Sequence, residues 1–126
     1  MSDIIDHAGI SVTDFDASLN FYTQALGTLG IKVLANFEHA GERHAAFGIS
    51  KPDFWIGTSR RKTGGTHFAF IARSRAEVNA FYSAALASGG RDNGPPGLRE
   101  HYHPNYYGAF VFDPDGHNIE AVCHAG

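Results

Sequence analysis

The chain repeats itself at an offset of sixty residues, and each copy opens with a histidine. His7 aligns with His67, Asp14 with Ser74, Phe21 and Tyr22 with Phe81 and Tyr82, Leu26 with Leu86, and Gly30 with Gly90. Two copies of one supersecondary unit restrict the fold to arrangements in which equivalent elements pair or face one another. Either half alone would be marginal as a domain, so the halves should fold together or pair across a dimer. Equivalent strand positions meeting at the junction put two imidazoles on one cleft, which is a geometry suited to a metal.

With 126 residues and a formal net charge of -3, the chain has no basic footprint for nucleic acid, and no apolar run reaches membrane-spanning length. The expected partner is therefore a small molecule. The opening MSDIIDHAGI has neither the basic nor the long apolar region of a secretory signal, so a cytoplasmic location is expected. The single cysteine, Cys123, cannot form an intrachain disulfide and reads as a small buried hydrophobe on a strand.

Each copy has the same order of elements. Residues 4–12 read as a strand, and Asp14 then caps a helix to about Leu26, with Phe15, Leu19, Tyr22 and Leu26 along one face and Gly27 and Gly30 as its stop. Strand candidates follow at 31–37, 43–49 and 53–58, and a polar link at 59–65 contains the solvated run Arg60-Arg61-Lys62. The second copy opens with a strand at 66–72. Ser74 and Glu77 then form a capping box for a helix carrying Val78, Phe81 and Ala85, which Gly89 and Gly90 end. A Gly/Pro-rich segment at 94–98 leads to strands at 106–112 and 117–124, joined by the turn Asp113-Pro114-Asp115-Gly116. The expectation is an α+β fold of two βαβββ modules, about 4–58 and 66–124, within one domain spanning 1–126.

Strand alternation tests whether the histidines can converge. If His7 faces a cleft, Ile5, Gly9 and Ser11 share its face and Ala8, Ile10 and Val12 turn to the helix; His67 likewise shares a face with Ala69 and Ile71, opposite Phe68 and Phe70. In the last strand Asn118, Glu120, Val122 and His124 fall on one face. Glu120 is thus a carboxylate in an apolar strand, and burying its charge costs several kcal/mol unless it is paired or bound to a metal. Setting residues 53–56 against 117–120 puts Ile56 at the position of Glu120, so the four equivalent positions hold His7, Ile56, His67 and Glu120. Two imidazoles and a carboxylate with open positions suit one divalent ion, Fe(II), Mn(II), Ni(II) or Zn(II).

Through His7, the helix end Phe21-Tyr22-x-x-x-Leu26-Gly27, His67, and Asp113-Pro114-Asp115-Gly116-x-x-x-Glu120, the whole chain resembles the vicinal oxygen chelate superfamily. That superfamily includes glyoxalase I, extradiol dioxygenases, and fosfomycin and bleomycin resistance proteins. The resemblance implies paired βαβββ modules whose curled mixed sheets form a cleft around a metal, with His7, His67 and Glu120 as its ligands. It also marks two departures. Glyoxalase I carries a further ligand in the first module's last strand, where Ile56 is read here, and the extradiol enzymes carry a tyrosine three residues before the Asp-Pro turn, where this chain has Phe110.

The segment 99–107 is rich in groups that donate, accept or stack, and at the cleft mouth it would act as a lid or rim. His101, His103 and Tyr107 are its catalytic candidates beside Glu120, whereas His39, His44, His117 and His124 read as structural. The expected function is a metal-dependent enzyme on a small oxygen-rich substrate, either a lyase or isomerase or a ring-cleaving dioxygenase, with the metal as Lewis acid. The alternative is a metal-free protein that sequesters a ligand, with Trp55, Tyr106 and Tyr107 lining its groove. A homodimer is expected because paired curled sheets leave edges and apolar surface to cover.

Overall fold

The computed structural model describes residues 5–58, 66–102 and 104–125; the expected linker run Arg60-Arg61-Lys62 and His103 lie outside the described residues. The first unit comprises β1 (Ala8–Ser11), α1 (Phe15–Gly27), β2 (Lys32–His39), β3 (Glu42–Gly48) and β4 (Phe54–Gly57). The second comprises β5 (His67–Ile71), α2 (Arg75–Ala87), β6 (Arg91–Leu98), β7 (Tyr107–Phe112) and β8 (Asn118–Cys123). The sheets have orders β1-β4-β3-β2 and β5-β8-β7-β6. In each, the first and last strands run parallel and the remaining pairs antiparallel, which makes both sheets mixed and bears out the α+β expectation.

The helix ends follow the caps read from the sequence. Asp14 is extended and accepts from the Ala17 amide at 3.1 Å. Gly30, at φ +79°, turns the chain away after α1. At α2 the Ser74 hydroxyl accepts from the Glu77 amide at 3.1 Å, but the Glu77 carboxylate reaches the Arg73 amide at 2.7 Å and the Arg73 guanidinium at 2.6 Å. The expected capping box is thus displaced by one residue, because the arginine adds charge to the same acceptor.

One correction concerns the Gly/Pro-rich segment at 94–98, to which no strand is assigned from the sequence. Residues Arg91–Leu98 form β6, an edge strand of the second sheet. Its pairing with β7 shifts register on either side of Gly94. Edge placement explains why two prolines are tolerated, since only one side of the strand needs ladder donors.

α1 and α2 pack together beneath both sheets, and their apolar faces merge into one core with Phe47, Phe54, Ile56, Val111 and Ile119. Phe54 of the first unit meets Phe68 and Phe70 of the second at ring-centroid distances of 5.6 and 5.1 Å. The turn 113–116 completes the joint. The buried Asp113 carboxylate accepts from the Tyr22 hydroxyl at 2.5 Å and from the amides of Asp115 and His117, while Asp115 accepts from the Thr13 amide at 3.1 Å. His117 is also buried, with Nε2 3.1 Å from the Ser11 carbonyl oxygen. The motif Asp113-Pro114-Asp115-Gly116 therefore clamps the second unit onto α1 and β1 of the first. The opposite faces of the sheets carry the histidines of interest.

Candidate functional site

On the second sheet, β5 pairs with β8 so that Ala69 lies opposite Glu120, and β7 pairs with β8 so that Phe110 lies opposite Glu120. His67 begins β5 and stands on the same open face. Its Nδ1 is 3.1 Å from the Asn118 carbonyl oxygen, an acceptor that requires a proton on Nδ1. Nε2, the other ring nitrogen, stands 3.3 Å from Glu120 Oε1. The ring also stacks on Phe110 at 6.4 Å and 22°.

Glu120 is 1% exposed, as its place in an apolar strand requires. Its Oε2 accepts a hydrogen bond from the Tyr106 hydroxyl. A Cβ at Gly108 would lie 3.2 Å from Tyr106 Cε1 and 3.3 Å from Glu120 Oε2, so the glycine makes room for that contact. Burial first, then the hydrogen bond to Glu120, pushes the Tyr106 phenol well above its ordinary pKa and keeps it a donor.

The first sheet carries a matching half. His7 precedes β1, with Nδ1 2.9 Å from Asp6 Oδ2. The same carboxylate receives Lys51 Nζ at 3.1 Å, and the hydrogen bond from His7, then Lys51, holds Asp6 below the usual carboxylate range. His7 and His67 therefore share one feature: Nδ1 is engaged by an oxygen acceptor, the arrangement that orients metal-ligating imidazoles. Asp6, His7, Lys51, Pro52 and Trp55 line an open depression.

Register corrects the sequence alignment by one residue. Gly9, equivalent to Ala69, pairs with Trp55, whereas Ala69 pairs with Glu120. Trp55, not Ile56, thus holds the position of Glu120 in the first unit. Ile56 is 1% exposed and belongs to the core. A slip of one residue exchanges the two faces of a strand, which is why matching the motifs without the pairing picked the wrong neighbour. Trp55 shares its face with Phe37 (6.1 Å), which stacks on His44 (5.4 Å).

The three expected ligands are not gathered within one chain. Among the described residues no three of His, Cys, Asp and Glu come together, so His67 and Glu120 stand apart from His7. Of the other candidates, His101 is exposed and packs on Tyr102 at 4.2 Å, and Tyr102 in turn meets Tyr106 at 5.0 Å. Tyr107 lies away from this face: its hydroxyl donates to Asn79 Oδ1 of α2 at 2.7 Å and Arg75 covers its ring. The contact of Tyr106 with Glu120 was not anticipated. Its signal was parity, since Tyr106, Gly108 and Phe110 alternate onto one face and only Gly108 leaves a path between them.

The family model for the glyoxalase/bleomycin resistance protein/dioxygenase superfamily matches residues 4–121. No curated protein matches the chain. Among solved structures, a glyoxalase/bleomycin resistance protein from Albidiferax ferrireducens T118 is similar at 28% identity and a TM-score of 0.76, over 96% of this chain and 99% of that one. Glyoxalase I from Zea mays shares 23% identity and a TM-score of 0.71 over 94% of this chain, which spans only 43% of the maize chain. A glyoxalase-related enzyme from Fulvimarina pelagi shares 20% identity and a TM-score of 0.69, over 97% and 88% of the two chains. The last two show likeness of fold alone. Among the described residues, no helix is long and apolar enough to cross a membrane.

Proposed function

Because the chain belongs to the glyoxalase/bleomycin resistance protein/dioxygenase superfamily, we propose that it is a cytoplasmic, divalent-metal enzyme acting on a small substrate that presents two neighbouring oxygens. The observation that carries this reading is the preparation of both imidazoles: each has Nδ1 on an oxygen acceptor, and Nε2 of His67 stands 3.3 Å from a buried carboxylate. Nitrogen and oxygen donors of this kind fit Fe(II), Mn(II), Ni(II) or Zn(II). His67 and Glu120 of one chain and His7 of another would hold the ion in a homodimer with two equivalent sites. Apolar side chains on the same open faces support such pairing, with Ile71 at the far end of β5 from His67 74% exposed and Phe37 beside Trp55 46% exposed.

The ion would supply Lewis-acid polarisation of the substrate oxygens. The protein's own part is to orient and to manage a proton. The Tyr106 phenol keeps a proton at Glu120 Oε2, so Glu120 serves both as ligand and as the carboxylate through which a substrate proton is exchanged. His101 lies at the rim of the same aromatic row. Tyr107 has no part in this reading because its hydroxyl is engaged on α2. Phe110 beside Glu120, without a phenol, favours lyase or isomerase chemistry over ring cleavage.

The test is elemental analysis of untagged protein beside the His7→Ala, His67→Ala double variant. About one transition metal per chain in the wild type and none in the variant is expected. Full metal content in the variant contradicts the site. The open face of Trp55, Phe37 and His44 favours a second reading, a metal-free ligand-sequestering protein. That protein would hold its ligand after chelator treatment, whereas the enzyme would not.

A further inference from the structure

The guanidinium of Arg99 is built into the same face as Glu120, and its partners are backbone carbonyls. Nη1 donates to the Gly97 carbonyl at 2.9 Å and Nη2 to the Pro95 carbonyl at 2.8 Å. Two glycines make its berth: a Cβ at Gly94 would fall 3.1 Å from Nη2, and a Cβ at Gly97 would fall 3.2 Å from Nη1. Gly94 lies at φ +146°, a conformation that other residues rarely adopt. The cation also sits over the Phe110 ring at 5.4 Å. Among the described residues, no carboxylate forms an ion pair with it.

The face is fixed by register. The missing Cβ of Gly94 points at Phe110 Cβ and Cδ1, so the guanidinium lies on the side to which Phe110 projects. Phe110 is directly opposite Glu120 and stacks on His67, which places Arg99, Phe110, Glu120 and His67 on one surface. Gly94 and Glu120 are on strands two apart, a separation of about 10 Å. A half-buried guanidinium, held rigidly by backbone carbonyls and lacking a counter-charge, is a preorganised receptor for a carboxylate.

We infer that Arg99 binds a carboxylate at the far end of the substrate, whose paired oxygens lie at Glu120 and whose short apolar spacer crosses Phe110. The substrate class is therefore a small chelating acid in which a few carbons separate the carboxylate from the vicinal oxygens. This inference rests on the metal-site reading above.

Two probes separate the inference from that reading: butanohydroxamate, a neutral bidentate chelator, and succinic monohydroxamate, which adds a terminal carboxylate. Each is titrated calorimetrically into Ni(II)-loaded protein. Wild type should bind the carboxylated probe about tenfold or more tightly than the neutral one, the size expected of a charge-assisted contact. Arg99→Gln should lose this preference while still binding butanohydroxamate as wild type does, which also shows that the variant is folded. Arg99→Lys, a point charge without the fork, should retain only part of it. Equal binding of the two probes by wild type, or a preference that survives in Arg99→Gln, overturns the role of Arg99 and leaves the metal site standing. Failure of both probes to bind the Ni(II)-loaded wild type overturns the metal site and the inference together.

Discussion

Replacing Tyr22 with phenylalanine isolates the joint between the two units, because the ring and its packing remain while one hydroxyl is lost. That hydroxyl is fully buried and donates to Asp113 Oδ2 at 2.5 Å. Burial first, then the charge of Asp113, pushes the Tyr22 phenol well above its ordinary pKa, so it stays a neutral donor to the Asp113 carboxylate. A hydrogen bond to a charged group contributes about 1.5–3 kcal/mol, and here its loss leaves a carboxylate oxygen without its donor. At about 2.1 cal/mol/K per residue, a chain of this length has an unfolding entropy near ~0.26 kcal/mol/K, so the midpoint should fall by roughly 6–11 °C. The assay is thermal unfolding by circular dichroism at pH 7 and fixed protein concentration, since an oligomer's midpoint depends on concentration. Tyr82→Phe is the control: its hydroxyl meets Asp92 at 2.9 Å in an exposed position, and its loss should stay within about 0.5 kcal/mol. The pH dependence has a definite sign. The folded protein holds the Tyr22 proton more tightly than the unfolded chain, so the stability gap between wild type and Tyr22→Phe should be the same at about pH 7 and about pH 9 and narrow above about pH 10. A midpoint for Tyr22→Phe within about 2 °C of wild type would refute the claim that this contact clamps the units.

The register correction predicts opposite outcomes at adjacent positions. Trp55→Glu, at the place equivalent to Glu120, should raise metal affinity about tenfold by adding an oxygen donor, whereas Ile56→Glu should destabilise the core by several kcal/mol without any gain in metal binding; metal titration and thermal unfolding separate the two. Gly108→Ala should crowd the Tyr106–Glu120 contact and weaken metal binding by about tenfold or more, read in the same titration. At α2, the hydrogen bond from Arg73 is the first cause of the lowered Glu77 pKa. Its contribution is therefore present above the ordinary carboxylate range and lost as pH falls through the lowered value. Unfolding followed from pH 7 to 3 should show wild type losing its advantage over Glu77→Gln only at the acid end.

Local signals in the sequence carried most of the fold. The caps at Asp14 and Ser74, the helical faces through Phe21, Tyr22 and Phe81, and the alternation about His7 and His67 all match the structure, because each depends on near neighbours. β6 was illegible because its composition, Arg91–Leu98 with two prolines and two glycines, is a turn composition, and only an edge position makes it a strand. Glu120 was legible as a buried carboxylate in need of a partner, but Tyr106 was not, since that contact depends on a glycine between them. Trp55 was misplaced by Ile56 because equivalence between copies is a matter of pairing register, which the residue string does not contain. Asp113-Pro114-Asp115-Gly116, read as a turn and a family motif, acts here through Asp113 and Asp115 as a clamp on α1.

The central claim is that one metal site takes His7 from one chain and His67 with Glu120 from another. Mixing unfolded His7→Ala and Glu120→Ala chains, refolding them together and measuring bound metal tests it most directly. Neither variant alone should retain a complete site. If the site is shared, statistical pairing makes half of the dimers mixed and each mixed dimer has one intact site, so the mixture should recover about a quarter of the wild-type metal. If the mixture binds no more metal than the separate variants, the site is not shared between chains and the account is contradicted.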